Sequence, residues 1–311
     1  MKILVYGAGV IGCELAHMLR KGQNDVTLLA RGEWKHTIEN NGLIIRHYVQ
    51  LQTTTDQIKT IDVLETDYIY DLIFVAMQYK QLPEVLPVLA ANKSRYIVLV
   101  GNNMNAEGCQ KQIIENSLVK KEIAFAFQGT GGRRENNRII SIHARVGMTI
   151  GGVKSILSPD FRMQLTKAFS NTGYRLTDEC NMDAWLQCHV AFILPICYVC
   201  YMLNGHLERA GKTQINQIIE ATIEAHVMLK ALGYPIRPVG EEEFFTSSRR
   251  KCYWMLRIMS KTPIGRLAAS DHAMHAVNEM HSLDEAFESL RQQTDVPMPT
   301  WSTLRESMVK Y

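Results

Sequence analysis

A glycine-rich turn at residues 7–12, Gly7-Ala8-Gly9-Val10-Ile11-Gly12, constrains the fold of this chain more than any other feature. It follows a β-branched run at 2–6 and opens a helical pattern at 9–21, after which a second apolar run at 25–30 predicts a β-α-β unit. In a G-x-G-x-x-G turn the first glycine permits the tight turn, the second lets the backbone approach a pyrophosphate, and the third lets helix and strand pack closely. The pattern therefore predicts a dinucleotide-binding site, with a plain strand-to-helix turn as the alternative.

The residue at the end of the second strand indicates which dinucleotide is bound. A carboxylate there would bind the ribose 2′-hydroxyl, whereas a cation accommodates a 2′-phosphate. The residues are Ala30-Arg31-Gly32, no acid precedes Arg31, and Lys35 lies one helical turn farther on. The sequence therefore favours NADP(H), the alternative being that Arg31 is an ordinary solvated arginine.

The order of the remaining elements predicts an α/β protein of two domains. A chain of 311 residues exceeds the size at which one hydrophobic core usually stops growing. We predict a Rossmann-type parallel-sheet domain at 1–178 and an all-helical domain at 179–311. No flexible linker separates them, so we expect the domains to pack closely with a ligand in the crevice between them. The predicted strands are 43–53, 72–76, 96–100, 122–127, 138–142, 146–151 and 173–177, and the predicted helices are 81–91, 183–203, 211–232, 241–259, 270–294 and a turn near 300–309.

Composition excludes several classes of partner. Thirty-four Lys and Arg against 31 Asp and Glu leave a net charge of +3, too small for a nucleic-acid-binding surface. Seven scattered cysteines indicate free thiols, and we expect a cytoplasmic protein with no metal site, because no Cys/His cluster has ligand spacing. The apolar run at 184–203 contains Gln187, His189 and Pro195, so it predicts a buried core helix and no membrane contact.

A second polar turn, Gly101-Asn102-Asn103, follows the predicted strand at 96–100. It should lie at the carboxyl edge of the sheet, where open α/β sheets bind ligands. Asn102 is therefore a candidate to contact nicotinamide or substrate. The alternative is turn chemistry, because Asn-Asn after a strand commonly forms an Asx turn.

Taken together, these motifs resemble the ketopantoate reductases (2-dehydropantoate 2-reductases) over nearly the whole chain. The resemblance implies a Rossmann domain, a helical domain, and NADPH-dependent reduction of ketopantoate or another small 2-oxo acid to a 2-hydroxy acid, a reaction of pantothenate biosynthesis. The matching segments are 2–12, 26–32, 41–43, 71–76, 101–104 and 296–299.

The chain departs from the family pattern at its catalytic positions. The family lysine, two residues after a tryptophan, corresponds to Gln187 after Trp185, and a family asparagine one turn on corresponds to Ala191. A lysine beside the cofactor corresponds to Gln78, while Asn102 and the C-terminal Glu279 match. The resemblance therefore assigns Asn102, Gln187 and Glu279 to the catalytic site, and Gln78 and Asn102 to the cofactor.

Two functions remain open from the sequence. Gln187 can donate a neutral hydrogen bond but cannot transfer a proton, so a reductase would need another group, for which His189, Tyr198 and Lys80 are candidates. The alternative is a non-catalytic NADP(H)-binding sensor or interaction protein on the same fold. Either form is compatible with a homodimer formed through the apolar helical domain.

Overall fold

The computed structural model describes residues 1–143 and 145–310, except for the side chains at 264, 268, 272, 309 and 310. The chain divides into two compact units, Met1–Asp183 and Ala184–Tyr311. The first unit is an α/β domain and the described part of the second is helical, so the predicted fold class is confirmed. The sequence-based boundary at 178 coincides with the last residue of the final strand.

The first unit alternates strands with helices. Its strands are β1 (Lys2–Tyr6), β2 (Asp25–Leu29), β3 (Leu43–His47), β4 (Gln52–Asp56), β5 (Lys59–Ile61), β6 (Leu72–Ala76), β7 (Tyr96–Val100), β8 (Glu122–Gln128), β9 (Gly131–Glu135), β10 (Arg138–Ile142), β11 (Gly147–Gly151) and β12 (Arg175–Asp178). Its helices are α1 (Val10–Lys21), α2 (Gly32–Asn41), α3 (Leu82–Ala91), α4 (Ala106–Glu115) and α5 (Pro159–Ala168), with a 3₁₀ turn at Tyr79–Gln81.

The main sheet has eight strands in the order β12-β11-β8-β7-β6-β1-β2-β5. All neighbours pair in parallel except β8 and β11. The chain moves from β1 through β2 to β5 and then returns to place β6 on the other side of β1. The strand order therefore reverses between β1 and β6, and such a reversal is where open α/β sheets bind their ligands.

The central strands are buried on both faces. Ile3, Leu4 and Val5 of β1 have no exposed surface, and neither do Ile73 and Phe74 of β6. Continuous apolar runs of this kind are typical of parallel strands covered by helices on both sides. This burial explains why these two strands could be predicted from composition alone.

A second, four-stranded sheet in the order β4-β3-β10-β9 corrects one sequence expectation. The single strand predicted at 43–53 is a hairpin, because β3 and β4 pair antiparallel around a turn at 48–51. Leu51 in that turn has a φ of +53°, a left-handed conformation that no strand continues. Strands β5 and β9 and helices α2, α4 and α5 were not predicted.

The second unit is built from α6 (Met182–Met202), which begins at the junction, and the helices that follow. These are α7 (Lys212–Ala231), α8 (Glu241–Phe245), α9 (Arg249–Lys261), α10 (Pro263–Gly265), α11 (Asp271–His275), α12 (Val277–Arg291) and α13 (Pro299–Arg305). The single helices predicted at 241–259 and 270–294 are each interrupted, at 246–248 and at Ala276.

Helix α6 is the apolar segment that the sequence analysis examined as a membrane span. It is long and apolar enough to cross a bilayer, but 72% of its most apolar window is buried inside the protein. It is therefore the buried core helix that its polar residues predicted.

All seven cysteines lie in the described part of the chain and are free, and Cys180 is the exposed one. Burial raises the pKa of Cys200 to about 12 and that of Cys13 to about 12, so these thiols are protonated as well as inaccessible.

We predict that a thiol reagent labels one cysteine rapidly in the native protein and seven after unfolding. The substitution Cys180→Ser should remove the rapid phase, and labelling of two or more thiols in the native state would contradict this packing.

Candidate functional site

The glycine turn between β1 and α1 is held by close backbone contacts that exclude side chains. Gly7 has a φ of +110°, and a Cβ on it would lie 2.3 Å from the carbonyl oxygen of Ala76 on β6. A Cβ on Gly12 would lie 1.9 Å from the carbonyl oxygen of Gly7. Both distances are far below contact, so only glycine allows α1 to pack at this distance from the sheet.

Gly9 is not constrained by packing in this way. An ideal Cβ on Gly9 would meet nothing within 4 Å, and its φ of −77° is accessible to any residue. Gly9 lies at the N-cap of α1, where no side chain caps the helix and the first turn has no acidic residue. The space over Gly9 and the amides of that turn therefore suit an anion such as a pyrophosphate.

Trp34 supports the glycine turn from α2. Its indole Nε1 donates a hydrogen bond to the carbonyl oxygen of Ala8 at 2.9 Å, which holds the middle of the turn. Arg31 precedes α2, is exposed, and donates to the hydroxyl of Tyr6 at 3.2 Å. The guanidinium of Arg134, on β9, lies 5.2 Å from the Trp34 ring. Sequence reasoning missed this second cation because it did not predict β9.

Gln78 and Asn102 lie across the strand reversal from β2. They follow β6, which is next to β1, and β7, which is next to β6. Gln78 comes after β6, and its backbone N–H donates to Oε1 of Gln81 at 3.2 Å. Asn102 comes after β7 and is only 6% exposed. The ends of three neighbouring strands thus carry the glycine turn, Gln78 and Asn102 to one edge of the sheet.

The residue after Asn102 forms an Asx turn. The side chain of Asn103 accepts a hydrogen bond from the backbone N–H of Asn105 at 2.8 Å. Asn105 in turn caps α4 by accepting from the N–H of Gly108 at 3.2 Å. Asn103 and Asn105 therefore supply an Asx turn and a helix cap directly after Asn102.

In the second unit, the residues assigned by resemblance are buried on two helices. Gln187 lies on α6 with 1% of its surface exposed, and Ala191, one turn later, is fully buried. Glu279 lies on α12 and is buried. Burial raises the pKa of Cys197 well above its ordinary value, and the nearby charges of Cys200 and Glu279 raise it further.

The three alternative proton donors have different surroundings. Tyr198 is fully buried, donates to Oδ1 of Asp284 at 2.6 Å, and has its pKa raised well above 10 by burial and then by Asp284. Its hydroxyl is therefore committed to the packing of the helical unit. His189 stacks on Trp185 with ring centroids 5.1 Å apart and is half-buried, while Lys80 is exposed.

Comparison with known proteins identifies relatives for this arrangement. Residues 3–155 match the family model described as ketopantoate reductase PanE/ApbA. No curated protein matches the chain.

Solved structures show the same fold at low identity. A D-mandelate dehydrogenase with NADH and anilino(oxo)acetate has a TM-score of 0.77 and 14% identity over 100% of this chain and 97% of that one. A putative ketopantoate reductase from Ralstonia solanacearum MolK2 has a TM-score of 0.73 and 14% identity over 99% and 96%. A 2-dehydropantoate 2-reductase from Methylococcus capsulatus has a TM-score of 0.70 and 17% identity over 100% and 96%.

The different packing of Gly9 and Gly12 predicts different effects of the same substitution. Gly12→Ala should lower the free energy of unfolding by about 3 kcal/mol or more, because the added Cβ overlaps a backbone oxygen. Gly9→Ala should change it by less than about 1 kcal/mol but weaken dinucleotide binding at least about tenfold. Denaturant unfolding and a fluorescence titration with NADPH measure the two effects. Equal loss of stability in both variants would contradict the assignment.

Proposed function

Because residues 3–155 place this chain in the ketopantoate reductase family, we propose that it is an NADPH-dependent reductase of ketopantoate or a related small 2-oxo acid. Ketopantoate as substrate would place it in pantothenate biosynthesis. The observation that carries the proposal is the open space over Gly9 at the uncapped start of α1, beside the strand reversal between β1 and β6. A neighbour with this fold was solved with NADH and anilino(oxo)acetate.

The residues of the first unit fit a phosphorylated dinucleotide. The α1 amides would bind the pyrophosphate, and Arg31 would bind the 2′-phosphate, with the guanidinium of Arg134 over the Trp34 ring adding positive charge. When bound, NADPH supplies a hydride for the carbonyl carbon of the substrate. Asn102 would orient the nicotinamide or the substrate from the end of β7.

Reduction of a ketone also requires a proton for the carbonyl oxygen and stabilisation of the negative charge that develops there. We propose that Gln187 and Glu279 contribute hydrogen bonds to the substrate. A neutral amide leaves the developing charge less stabilised than a lysine would, and loss of one such donor typically lowers turnover about 100- to 1000-fold. The second unit offers His189 as the remaining candidate donor, since Tyr198 is bound to Asp284.

A second function is favoured by the positions at which the chain departs from the family pattern. Gln187, Ala191 and Gln78 stand where the resemblance implies two lysines and an asparagine, so the cofactor site could persist without catalysis. In that case the protein would be an NADP(H)-binding sensor or interaction protein. A steady-state assay of NADPH oxidation over a panel of branched, linear and aryl 2-oxo acids distinguishes the two functions. Turnover of one acid supports the reductase, and tight NADPH binding without any turnover supports the sensor.

Arg31 should give the protein a preference for NADPH over NADH. Hydrogen bonds to charged groups contribute about 1.5 to 3 kcal/mol, which corresponds to about 10- to 150-fold in affinity. Titration of wild type and Arg31→Ala with both cofactors measures the preference, and Lys167→Ala, at the exposed end of α5, is a control for the loss of one exposed cation. Equal affinities in the wild type, or an unchanged preference in Arg31→Ala, would contradict the role of Arg31.

Gln187 should limit the reduction of ketopantoate. We expect a native turnover well below the ordinary value of about 10 per second, because no fixed cation takes the lysine position. The substitution Gln187→Lys should raise turnover modestly, since Ala191 cannot supply the supporting amide. Turnover near 10 per second in the wild type would show that another residue provides the proton. Parallel substitutions at Lys80 and His189 would then identify it by loss of turnover with unchanged NADPH affinity.

A further inference from the structure

A buried carboxylate and two buried histidines meet on the side of α1 that faces the second sheet. Glu14 lies in the second turn of α1 and is fully buried. His47 is the last residue of β3, and His143 directly follows β10. Since β3 and β10 are neighbours and pair Ser141 with His47, their ends bring both imidazoles to α1. The two histidines are 5% and 9% exposed.

The distances within this cluster place the three side chains around one point. Nδ1 of His47 is 3.5 Å from Oε2 of Glu14, and Nε2 of His143 is 3.3 Å from Oε1. One ligand atom from each residue lies within 4.8 Å of the other two. In the described part of the chain, neither Glu14 oxygen and neither ring nitrogen of His143 has a well-aligned hydrogen bond. Buried polar atoms are normally satisfied, so beyond the two Glu14–histidine ion pairs these atoms are available to a further partner.

Two imidazoles and one carboxylate form a ligand set that Zn²⁺ uses. Ligands about 2.0 to 2.1 Å from a tetrahedral zinc lie about 3.3 to 3.5 Å from one another. Each imidazole lies at such a separation from a carboxylate oxygen, with His47 beside Oε2 and His143 beside Oε1 of Glu14. One ligand atom of each residue lies within 4.8 Å of the other two, so small shifts of these side chains would bring all three to zinc-binding distance. The fourth position would be open to a water molecule.

The surroundings of His47 resemble those of a metal ligand. Its second nitrogen, Nε2, lies 2.9 Å from Oγ1 of Thr54 on β4, a contact that orients the ring with Nδ1 toward Glu14.

We propose that Glu14, His47 and His143 bind one Zn²⁺ ion that joins the helix after the glycine turn to the second sheet. The site is within the first unit and separate from the residues assigned to cofactor and substrate. Its role would be to stabilise that unit, because an ion that binds only the folded state raises its stability by mass action. This proposal does not depend on the reductase activity.

The first test measures zinc on the wild-type protein directly. The protein is freed of metal with a chelator, dialysed against Zn²⁺ and analysed for bound metal, with competition against a chromophoric chelator for affinity. We expect one Zn²⁺ per chain and a melting temperature raised by about 5 to 10 °C at 100 times the dissociation constant. Binding of Co²⁺ should give visible bands of nitrogen and oxygen ligation without thiolate charge transfer. A wild-type protein that retains no zinc overturns the proposal.

Variants then assign the ion to this cluster. Glu14→Gln and His143→Asn should each weaken zinc binding at least about 100-fold, and Thr54→Val about 10- to 100-fold through the orientation of His47. His36→Asn, at an exposed histidine, and Cys180→Ser, at the exposed thiol, should bind like the wild type. Circular dichroism checks the folding of each variant. If a ligand variant unfolds, the zinc affinity of Thr54→Val and the Co²⁺ spectrum of the wild type test the site instead. Wild-type affinity in Glu14→Gln and His143→Asn, or loss of zinc in Cys180→Ser, overturns the proposal.

Discussion

The close approach of Gly12 to the carbonyl of Gly7 is the constraint on which the first unit depends. A methyl group at Gly12 would lie 1.9 Å from that oxygen, so the packing of α1 on the sheet requires glycine there. At the start of the same helix, no side chain caps the first turn, and the space over Gly9 is open. The contact at Gly12 also places Glu14, half a turn later, against the second sheet. One packing contact therefore positions both the cofactor site and the buried cluster.

Much of the fold could be predicted because its strongest signals are local. The β1-α1-β2 unit, the buried strands and the apolar helix α6 follow from periodicity and from the position of the glycines. The hairpin at 43–56 could not be read from composition, because the run at 43–53 lacks the glycine or proline that usually marks a turn. Strand β9 contains Gly131-Gly132-Arg133-Arg134, which resembles a turn rather than a strand, so its pairing with β10 depends on tertiary context.

The positions of some candidate site residues could be predicted because they follow strands with strong local signals. The glycine turn, Arg31 and Asn102 each follow a strand that the sequence reveals. The cluster of Glu14, His47 and His143 was not predictable, because its members are far apart in sequence and meet only through the second sheet. The sequence-based expectation of no metal site rested on local spacing, which carries no information about ligands of this kind. Arg134 was missed because it reaches Trp34 from β9 of the second sheet, which was not predicted.

The proposed function requires that this chain transfer a hydride from NADPH to a 2-oxo acid. The most direct measurement uses NADPH deuterated at C4 of the nicotinamide, in both stereochemical forms, with a panel of 2-oxo acids at high enzyme concentration. Mass spectrometry of the products reports whether deuterium reaches C2 of the 2-hydroxy acid, even when turnover is too slow for a steady-state assay. We expect transfer from one stereochemical form only. Binding of NADPH without transfer from either form to any acid would contradict it.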